Sequence, residues 1–280
     1  MAVTQLPLAA ANTRLKPVGN YALNVLRSEW TKIRSVRSTY WTLISAAVLT
    51  VGLSAIVCAV YVAQFSQLKP ADLRTFDAAS TSLTGGILAQ FAIAVLGVMV
   101  ITGEYSTGTI RTTFSAVPQR LHVLWAKIAT FSALTLAVTS VACVSAFFIG
   151  QAILSTKHIG VSITDTNVVR TVFGTALYLT VLGLLSLGIG TIIRKTAGAI
   201  TAIVGILFIL PVLAGFLPSS LDSVQKYLPS NAGTAIINSG GPQPAGASAQ
   251  LGPWMGLGVF FLYAVIALVV GGYFMQRRDA

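Results

Sequence analysis

The sequence predicts an all-α integral membrane protein with six transmembrane helices, an amphipathic interfacial helix before them, and both termini in the cytoplasm. Charged residues make up 9% of the 280-residue chain and hydrophobic residues make up 55%. Mean hydropathy is +0.81. Because ordinary globular proteins carry about 25% charged residues, a water-soluble fold of this size would lack the charges to cover its surface. Six long apolar runs and a one-sided distribution of Lys and Arg complete the argument.

The apolar runs are each long enough to cross a bilayer, which requires about 20 mainly apolar residues. They cover residues 39–65, 85–102, 121–154, 171–193, 197–217 and 254–275. The third run is longer than a bilayer requires, so we expect its first residues, 121–127, to project into the cytosol. Residues 1–19 are predicted to form a cytoplasmic tail. Its apolar patch is too short for a signal peptide, so the first run is expected to remain in the mature protein.

The distribution of Lys and Arg predicts the orientation, because six spans place both termini on one side. The side of the termini carries thirteen Lys and Arg against three Asp and Glu, which leaves +10. The other side carries five against four, which leaves +1. Lys and Arg accumulate on the cytoplasmic side of membrane proteins, so both termini are predicted to be cytoplasmic. The formal net charge of +11 therefore reflects topology, and we expect no nucleic-acid partner.

The sequence shows no signature of catalysis or of ion-coupled transport. Ionisable residues in a span cost about 2.5–3.5 kcal/mol on insertion scales and usually mark proton or ion sites, and the membrane-depth parts of the six runs contain none. The G-x-x-x-x-G-K-[ST], H-E-x-x-H and G-x-S-x-G motifs are absent as well. His122 and His158 fall on opposite sides of the predicted membrane. We therefore predict that the chain is not an enzyme and holds no metal or cofactor.

Residues 20–38 have the pattern of an amphipathic helix. The apolar stripe consists of Ala22, Val25, Leu26, Trp30, Ile33 and Val36, and the remaining face carries Arg27, Glu29, Lys32, Arg34 and Arg37. This pattern is typical of a helix in the headgroup plane with its cations toward anionic lipid phosphates. We expect Ser38 and Thr39 to cap the turn into the first span. The helix serves either as a simple anchor or as a lever that couples a partner's motion to that span.

The connection at residues 103–120 is predicted to be a cytoplasmic loop that contacts a partner. Its sequence begins Gly103-Glu104-Tyr105-Ser106-Thr107-Gly108-Thr109-Ile110-Arg111. We expect Gly103 to break the helix at the membrane surface, since glycine tolerates conformations that other residues avoid. Glu104 is the only acid in the loop and is expected to offer a free carboxylate. A loop that merely joined two spans would need no such residues.

Four stretches of the chain resemble the permease subunits of bacterial type-2 ATP-binding-cassette (ABC) exporters. They are L-R-S-E-W-T-K-I-R-S-V-R-S-T-Y-W-T-L at residues 26–43, T-G-E-Y-S-T-G-T-I-R at 102–111, Y-L-P-S-N-A-G at 227–233 and Q-R-R-D-A at 276–280. The resemblance extends from about residue 20 to the end of the chain. Its most specific part is G-E-Y-S-T-G-T-I-R.

The resemblance implies a membrane subunit without its own ATPase, located in the bacterial plasma membrane. It pairs with a second permease copy or a paralogue and binds two copies of a separate ATPase subunit, which hold ATP and Mg. Coupling to the ATPase is implied for Glu104, Tyr105, Gly108, Thr109 and Arg111. An elbow helix in contact with membrane lipids is implied for Arg27, Glu29, Trp30, Lys32, Arg34 and Arg37. Short re-entrant helices are implied for the outer region 218–253, with the motif Leu228, Pro229, Ser230, Asn231 and Gly233.

The expected function is outward transport of a hydrophobic or amphipathic compound, such as a drug or an antibiotic, driven by ATP hydrolysis in the partner. A non-transporting membrane anchor or regulator that recruits a cytosolic ATPase remains the alternative. Both explain the amphipathic helix and the loop. The two differ in whether ATP drives a flux of substrate.

Overall fold

The computed structural model describes residues 21–67, 69, 76–117, 119–216, 222–238 and 251–277, and these ranges contain helices and no strand. Six of the helices are long and apolar enough to cross a membrane. This confirms the all-helical class and the six apolar helices, and it fits a multi-pass membrane protein. The predicted tail 1–19 lies outside the described residues, as do residues 217–221 and 239–250 in and beside the predicted outer region.

The helices follow one another along the chain with short connections. In order they are α1 (Tyr21–Ser35), α2 (Arg37–Ala63), α3 (Ala78–Thr81), α4 (Gly86–Thr107), α5 (Thr109–Ala116), α6 (Arg120–Leu154), α7 (Val168–Ile193), α8 (Thr196–Ala214), α9 (Asp222–Gln225), α10 (Pro229–Thr234) and α11 (Pro253–Arg277). Within α8, residues Gly205–Ile209 form a π-helical turn. The six long apolar helices are α2, α4, α6, α7, α8 and α11.

Helix α7 forms the centre of the bundle. Its most apolar stretch is 83% buried inside the protein, whereas that of α8 is 22% buried. Helices α4, α6 and α11 pack around α7, and α2 lies against α4 and α6. The amphipathic α1 packs mainly on α6. The peripheral helices therefore leave large apolar side chains at the surface, as a bundle surrounded by lipid requires.

A glycine allows α4 to approach the central helix closely. A Cβ atom at Gly97 of α4 would lie 2.4 Å from the carbonyl oxygen of Gly183 and 2.9 Å from Cβ of Ser186, both in α7. Small residues that bring backbones together are a common basis of helix association in membranes, where packing replaces the hydrophobic effect as the driving force. Gly97 therefore fixes the distance between two helices of the core.

Two helix ends differ from the sequence predictions. Helix α4 continues through Gly103 to Thr107, so the expected break at Gly103 is wrong. The break occurs at Gly108, which has a left-handed φ of 73° and whose N–H donates to the carbonyl oxygen of Tyr105. Glycine is favoured after a helix because it adopts this conformation without steric cost. The expected cap at Ser38 and Thr39 is also wrong, since α2 begins at Arg37 after an extended Val36 and no side chain caps it.

Replacing Gly97 with alanine is expected to destabilise the bundle by about 1–3 kcal/mol, because the added methyl group overpacks the α4–α7 contact. Gly258→Ala is the matched control, since a Cβ at that position of α11 meets nothing within 4 Å. Thermal unfolding of the detergent-purified variants by size-exclusion chromatography measures the effect. Equal Tm values for the two variants would contradict the close approach.

Candidate functional site

Four charged side chains from three helices form an ion cluster, which consists of the buried Glu29 and Lys127, the mostly buried Glu104 and the half-buried Lys32. Lys127 Nζ of α6 lies 2.7 Å from Oε2 of Glu29 in α1 and 2.9 Å from Oε1 of Glu104 in α4. Lys32 Nζ lies 2.6 Å from Oε1 of Glu29 and 3.2 Å from Oε1 of Glu104. Two cations and two anions therefore neutralise one another at the junction of α1, α4 and α6.

Because Lys127 and Glu29 are buried, each of these charges needs the opposite charges beside it. The side chain of Lys127 is 2% exposed and that of Glu29 is 1% exposed, whereas Glu104 is 14% exposed. Taking a single charge out of water costs several kcal/mol, and only well-placed opposite charges offset that cost. None of the three helices can separate from the others without leaving an unpaired charge in the interior.

Helix α1 presents Glu29 from the middle of its packing face. Val25, Glu29 and Ile33 follow one another at intervals of four residues, so they share one side of the helix, and all three are buried. This corrects the prediction that Glu29 belongs to the lipid-facing set. It lies against α6 and pairs with Lys127. The interpretation of Glu104 as a free carboxylate is likewise wrong, because its Oε1 accepts from both lysines.

Charge pairing controls the protonation of the two α1 members of the cluster. Burial alone raises the pKa of the Glu29 carboxyl, but the ammonium groups of Lys127 and Lys32 outweigh it and hold the pKa below its usual 4.5. Burial alone lowers the pKa of Lys32, but Glu29 and Glu104 outweigh it and hold the pKa above its usual 10.5. Both groups therefore stay charged at neutral pH.

The short helix α5 is attached to the cluster and exposes its other side. Lys32 Nζ donates to Oγ1 of Thr113 at 3.1 Å, and Ile110 is 2% exposed and anchors the helix on the core. Thr109 and Arg111 are exposed. The helix therefore offers a polar surface to water while its inner face is tied to α1.

Two arginines fasten this end of the bundle to the end of α11. Arg120 Nη1 donates to the carbonyl oxygen of Met275 at 2.9 Å, and Arg194 Nη2 donates to that of Phe274 at 3.0 Å. The Arg120 guanidinium also lies over the ring of Phe114 in α5, 5.1 Å from its centroid. That of Arg194 lies over the ring of Tyr105 in α4 at 4.9 Å. Such cation–π contacts add to the stability of the junction.

The structure brings part of the predicted coupling set together and adds residues that sequence reasoning missed. Glu104 and Tyr105 lie inside the junction, Gly108 forms the bend, and Thr109 and Arg111 are exposed on α5. The missed members are Lys127, Thr113, Arg120 and Arg194. The sequence does hold one signal for Lys127. It lies in an otherwise apolar stretch, and a buried lysine there requires an acidic partner.

Most of the predicted lipid-facing residues are exposed. Trp30 is 45% exposed, and Arg27, Arg34 and Arg37 are exposed as well. Lys32 is half-buried because it belongs to the ion cluster. One side of α1 therefore packs against the protein, and its other side is exposed.

The predicted outer motif forms the start of α10, which lies near the beginning of α11 and far from the ion cluster. Leu228 precedes the helix and Pro229 is its first residue. Asn231 Nδ2 donates to the carbonyl oxygen of Gln225 at 2.9 Å. A Cβ at Gly233 would lie 2.7 Å from the ring of Tyr178, so glycine is required there. Ser230 is half-buried.

A cavity of about 560 Å³ opens beside α10, between α3, α4, α7 and residues 234–238. Its lining combines aromatic and aliphatic side chains with hydroxyl groups, among them Tyr61, Phe76, Ile87, Ser80, Thr84 and Thr175. Tyr178 Oη donates to Oε1 of Gln90 at 2.7 Å in its buried part. The volume lies in the range typical of small-molecule sites.

No cluster of His, Cys, Asp and Glu that could hold a metal occurs in the part of the chain that the structure describes. Comparison of the chain with protein-family models found no match, and comparison with curated proteins found none. Its function must therefore be inferred from the arrangement of its own side chains.

Replacing Lys127 with methionine is expected to cost about 3–5 kcal/mol of stability, because the buried Glu29 loses one of its two cations and Glu104 also loses one. The double variant Glu29→Gln/Lys127→Met should recover part of the loss, since it removes the unpaired charge. Lys157→Met, at an exposed position, serves as the control. A single variant that unfolds at the temperature of the wild type would show that the cluster contributes nothing.

The stability of the wild type is expected to fall on the acid side. The pKa of Glu29 is lowered in the folded protein, so its contribution is present above the unfolded value of 4.5 and is lost as the pH falls through the folded value. Thermal unfolding at a series of pH values down to roughly pH 3 measures this slope. Glu29→Gln should be less stable at neutral pH and should show a shallower acid slope. Parallel curves for the two proteins would contradict the pairing.

Proposed function

We propose that this chain is the membrane-spanning permease subunit of an ABC exporter in the bacterial plasma membrane. It moves a hydrophobic or amphipathic compound, such as a drug or an antibiotic, outward. ATP hydrolysis in two copies of a separate subunit powers the transport. The observation that carries this proposal is the ion cluster, which joins the exposed helix α5 to three helices of the bundle.

A transporter that uses the ATPase of a partner needs a surface that receives motion and a rigid connection into the membrane. Helix α5 meets the first requirement, since Thr109 and Arg111 face outward. The ion cluster meets the second. Its half-buried Lys32 donates a hydrogen bond to Thr113 of α5, and its buried Glu29–Lys127 pair joins α1 to α6. A displacement of α5 would therefore move these helices together.

The charge distribution supports a cytoplasmic position for this end of the molecule. Arg27, Arg34 and Arg37 of the N-terminal region, Arg111 of α5 and Arg277 of α11 all lie on the side that carries the excess of +10. The positive-inside tendency then places α5 where a cytosolic ATPase can reach it. The cavity near α10 is lined in part by Thr234, Ile237 and Asn238 of the predicted outer region.

The lining of the outer cavity supports an amphipathic cargo. Tyr61 and Phe76 stack with centroids 4.3 Å apart at its wall, and hydroxyl groups of Ser80, Thr84 and Thr175 line other parts of it. Aromatic and aliphatic surface suits the apolar part of a ligand, and hydroxyls suit its polar groups. A cavity with this lining offers a binding site for such a cargo, which transport requires and the regulatory alternative does not.

Arg111→Glu is expected to reduce association with the ATPase at least tenfold, because it reverses a charge on the exposed face of α5 without touching the ion cluster. The tagged chain is purified from its native membranes, and the co-purifying proteins are identified by mass spectrometry. Lys157→Glu makes the same charge change at an exposed site toward the other end and should retain the partner. Recovery of no ATPase with the wild type would contradict the proposal.

Transport is separated from recruitment by reconstituting the purified complex in vesicles. A permease gives an ATP-dependent flux of an amphipathic fluorescent dye, and Arg111→Glu reduces that flux together with partner binding. Stable partner binding without any ATP-dependent flux of the dyes tested would favour the regulatory alternative.

A further inference from the structure

An apolar groove runs along the outside of the bundle between α1, α2 and α6. It consists of two adjoining cavities of about 340 and 690 Å³, which share Ala47 and Val138. The first begins at Arg34 and Trp30 of α1, and the second ends near Gly52 of α2. The two together form one continuous depression, which is called the apolar groove below.

The groove is long enough to span the hydrocarbon of one membrane leaflet. Its α2 wall runs from Thr39 to Gly52, which corresponds to about 20 Å at 1.5 Å per residue. Half of the bilayer's hydrocarbon core is about 15 Å thick. An acyl chain that enters the groove at the α1 end therefore fits within it along its whole length.

The walls of the groove are apolar and its floor is built from small residues. Leu43, Ile44, Val51 and Val141 supply methyl groups along its sides. Ala47 is the residue where the two cavities join, and a Cβ at Gly52 would meet nothing within 4 Å. The groove therefore has room for a flexible aliphatic chain, which makes dispersion contacts with such walls.

The α1 end of the groove carries positive charge that is not neutralised by any acid in the described part of the chain. Arg34 lines the groove at this end, and Arg37 follows in the next turn. Both are exposed, and in the described parts of the chain neither forms an ion pair. Glu29, the acid on the same helix, is held by Lys127 and Lys32. The guanidinium of Arg34 is therefore available for a phosphate, which arginine binds through two parallel hydrogen bonds.

Two aromatic side chains flank the charged end. Trp30 is 45% exposed and Tyr40 is 46% exposed, and both line the groove. Trp and Tyr are enriched where the hydrocarbon of a membrane meets its headgroups. Their position therefore places Arg34 at headgroup depth and the rest of the groove in the hydrocarbon.

We propose that the groove binds one anionic glycerophospholipid, with its phosphate on Arg34 and one acyl chain along α2 toward Gly52. The site depends only on insertion of the bundle in a membrane and is independent of the proposed transport function. A bound lipid fills the space between α1, α2 and α6 and so stabilises the position of α1 against the other two helices.

Native mass spectrometry of the detergent-purified chain tests this proposal with phosphatidylglycerol and phosphatidylcholine of identical acyl chains as probes. The wild type is expected to retain phosphatidylglycerol about tenfold better than phosphatidylcholine, because the choline cation of phosphatidylcholine offsets the attraction of its phosphate to Arg34. Arg34→Gln should abolish this preference. Arg27→Gln, which removes an exposed charge of the same helix outside the groove lining, should preserve it.

A second variant tests the apolar part of the site. Ala47→Phe places a ring where the two cavities join and should reduce the binding of both lipids at least fivefold. Equal retention of the two lipids by the wild type, or an unchanged preference in Arg34→Gln, would overturn the proposal. A dimer that Ala47→Phe dissociates, without lipid adducts on the wild type, would instead identify a second copy as the occupant and would also overturn it.

Discussion

The contact between Lys127 and the carboxylates of Glu29 and Glu104 holds together the end of the bundle where α1, α4 and α6 meet, and the arrangement of that end depends on it. Burying a lysine that is 2% exposed is costly unless acids from neighbouring helices pair with it, and here they come from α1 and α4. Each partner is costly to remove, because the others would be left buried and unpaired. The amphipathic α1 is thus held in a defined place by charge as well as by its apolar residues.

The same interaction explains why the two surfaces of α1 behave differently. Glu29, the acid of α1, faces α6 and is neutralised there by Lys127 and Lys32. It therefore does not pair with Arg34 on the outer side of α1 or with Arg37 at the start of α2. One side of α1 therefore joins the protein core, while the other presents cations and Trp30 to the surroundings. Lys32 lies between them and extends the cluster to Thr113 of α5. The exposed helix α5, the bundle and the apolar groove thereby meet at α1.

The sequence predicts the six long helices well, because length and apolarity alone determine which segments can cross a bilayer. The residue at which a helix ends is decided by smaller differences in free energy, which the sequence pattern does not resolve. Gly103 and Gly108 look alike in sequence, yet only Gly108 takes the left-handed conformation that ends α4. Ion pairs are still harder to predict from the sequence, since Glu29 and Lys127 are 98 residues apart and no local pattern joins them. The cavity likewise requires Gln90 and Tyr178 to meet across two helices, which only the tertiary structure shows.

The distance between α1 and α5, measured by pulsed electron paramagnetic resonance, tests the central role of the ion cluster most directly. Spin labels are attached through Arg27→Cys and Arg111→Cys, both at exposed positions, after replacement of the buried Cys58 and Cys143 by alanine. If the cluster fixes α1 to α5, the protein with an intact cluster gives one narrow distance distribution, and the added Lys127→Met substitution broadens it. An equally narrow distribution in the Lys127→Met protein would contradict that role.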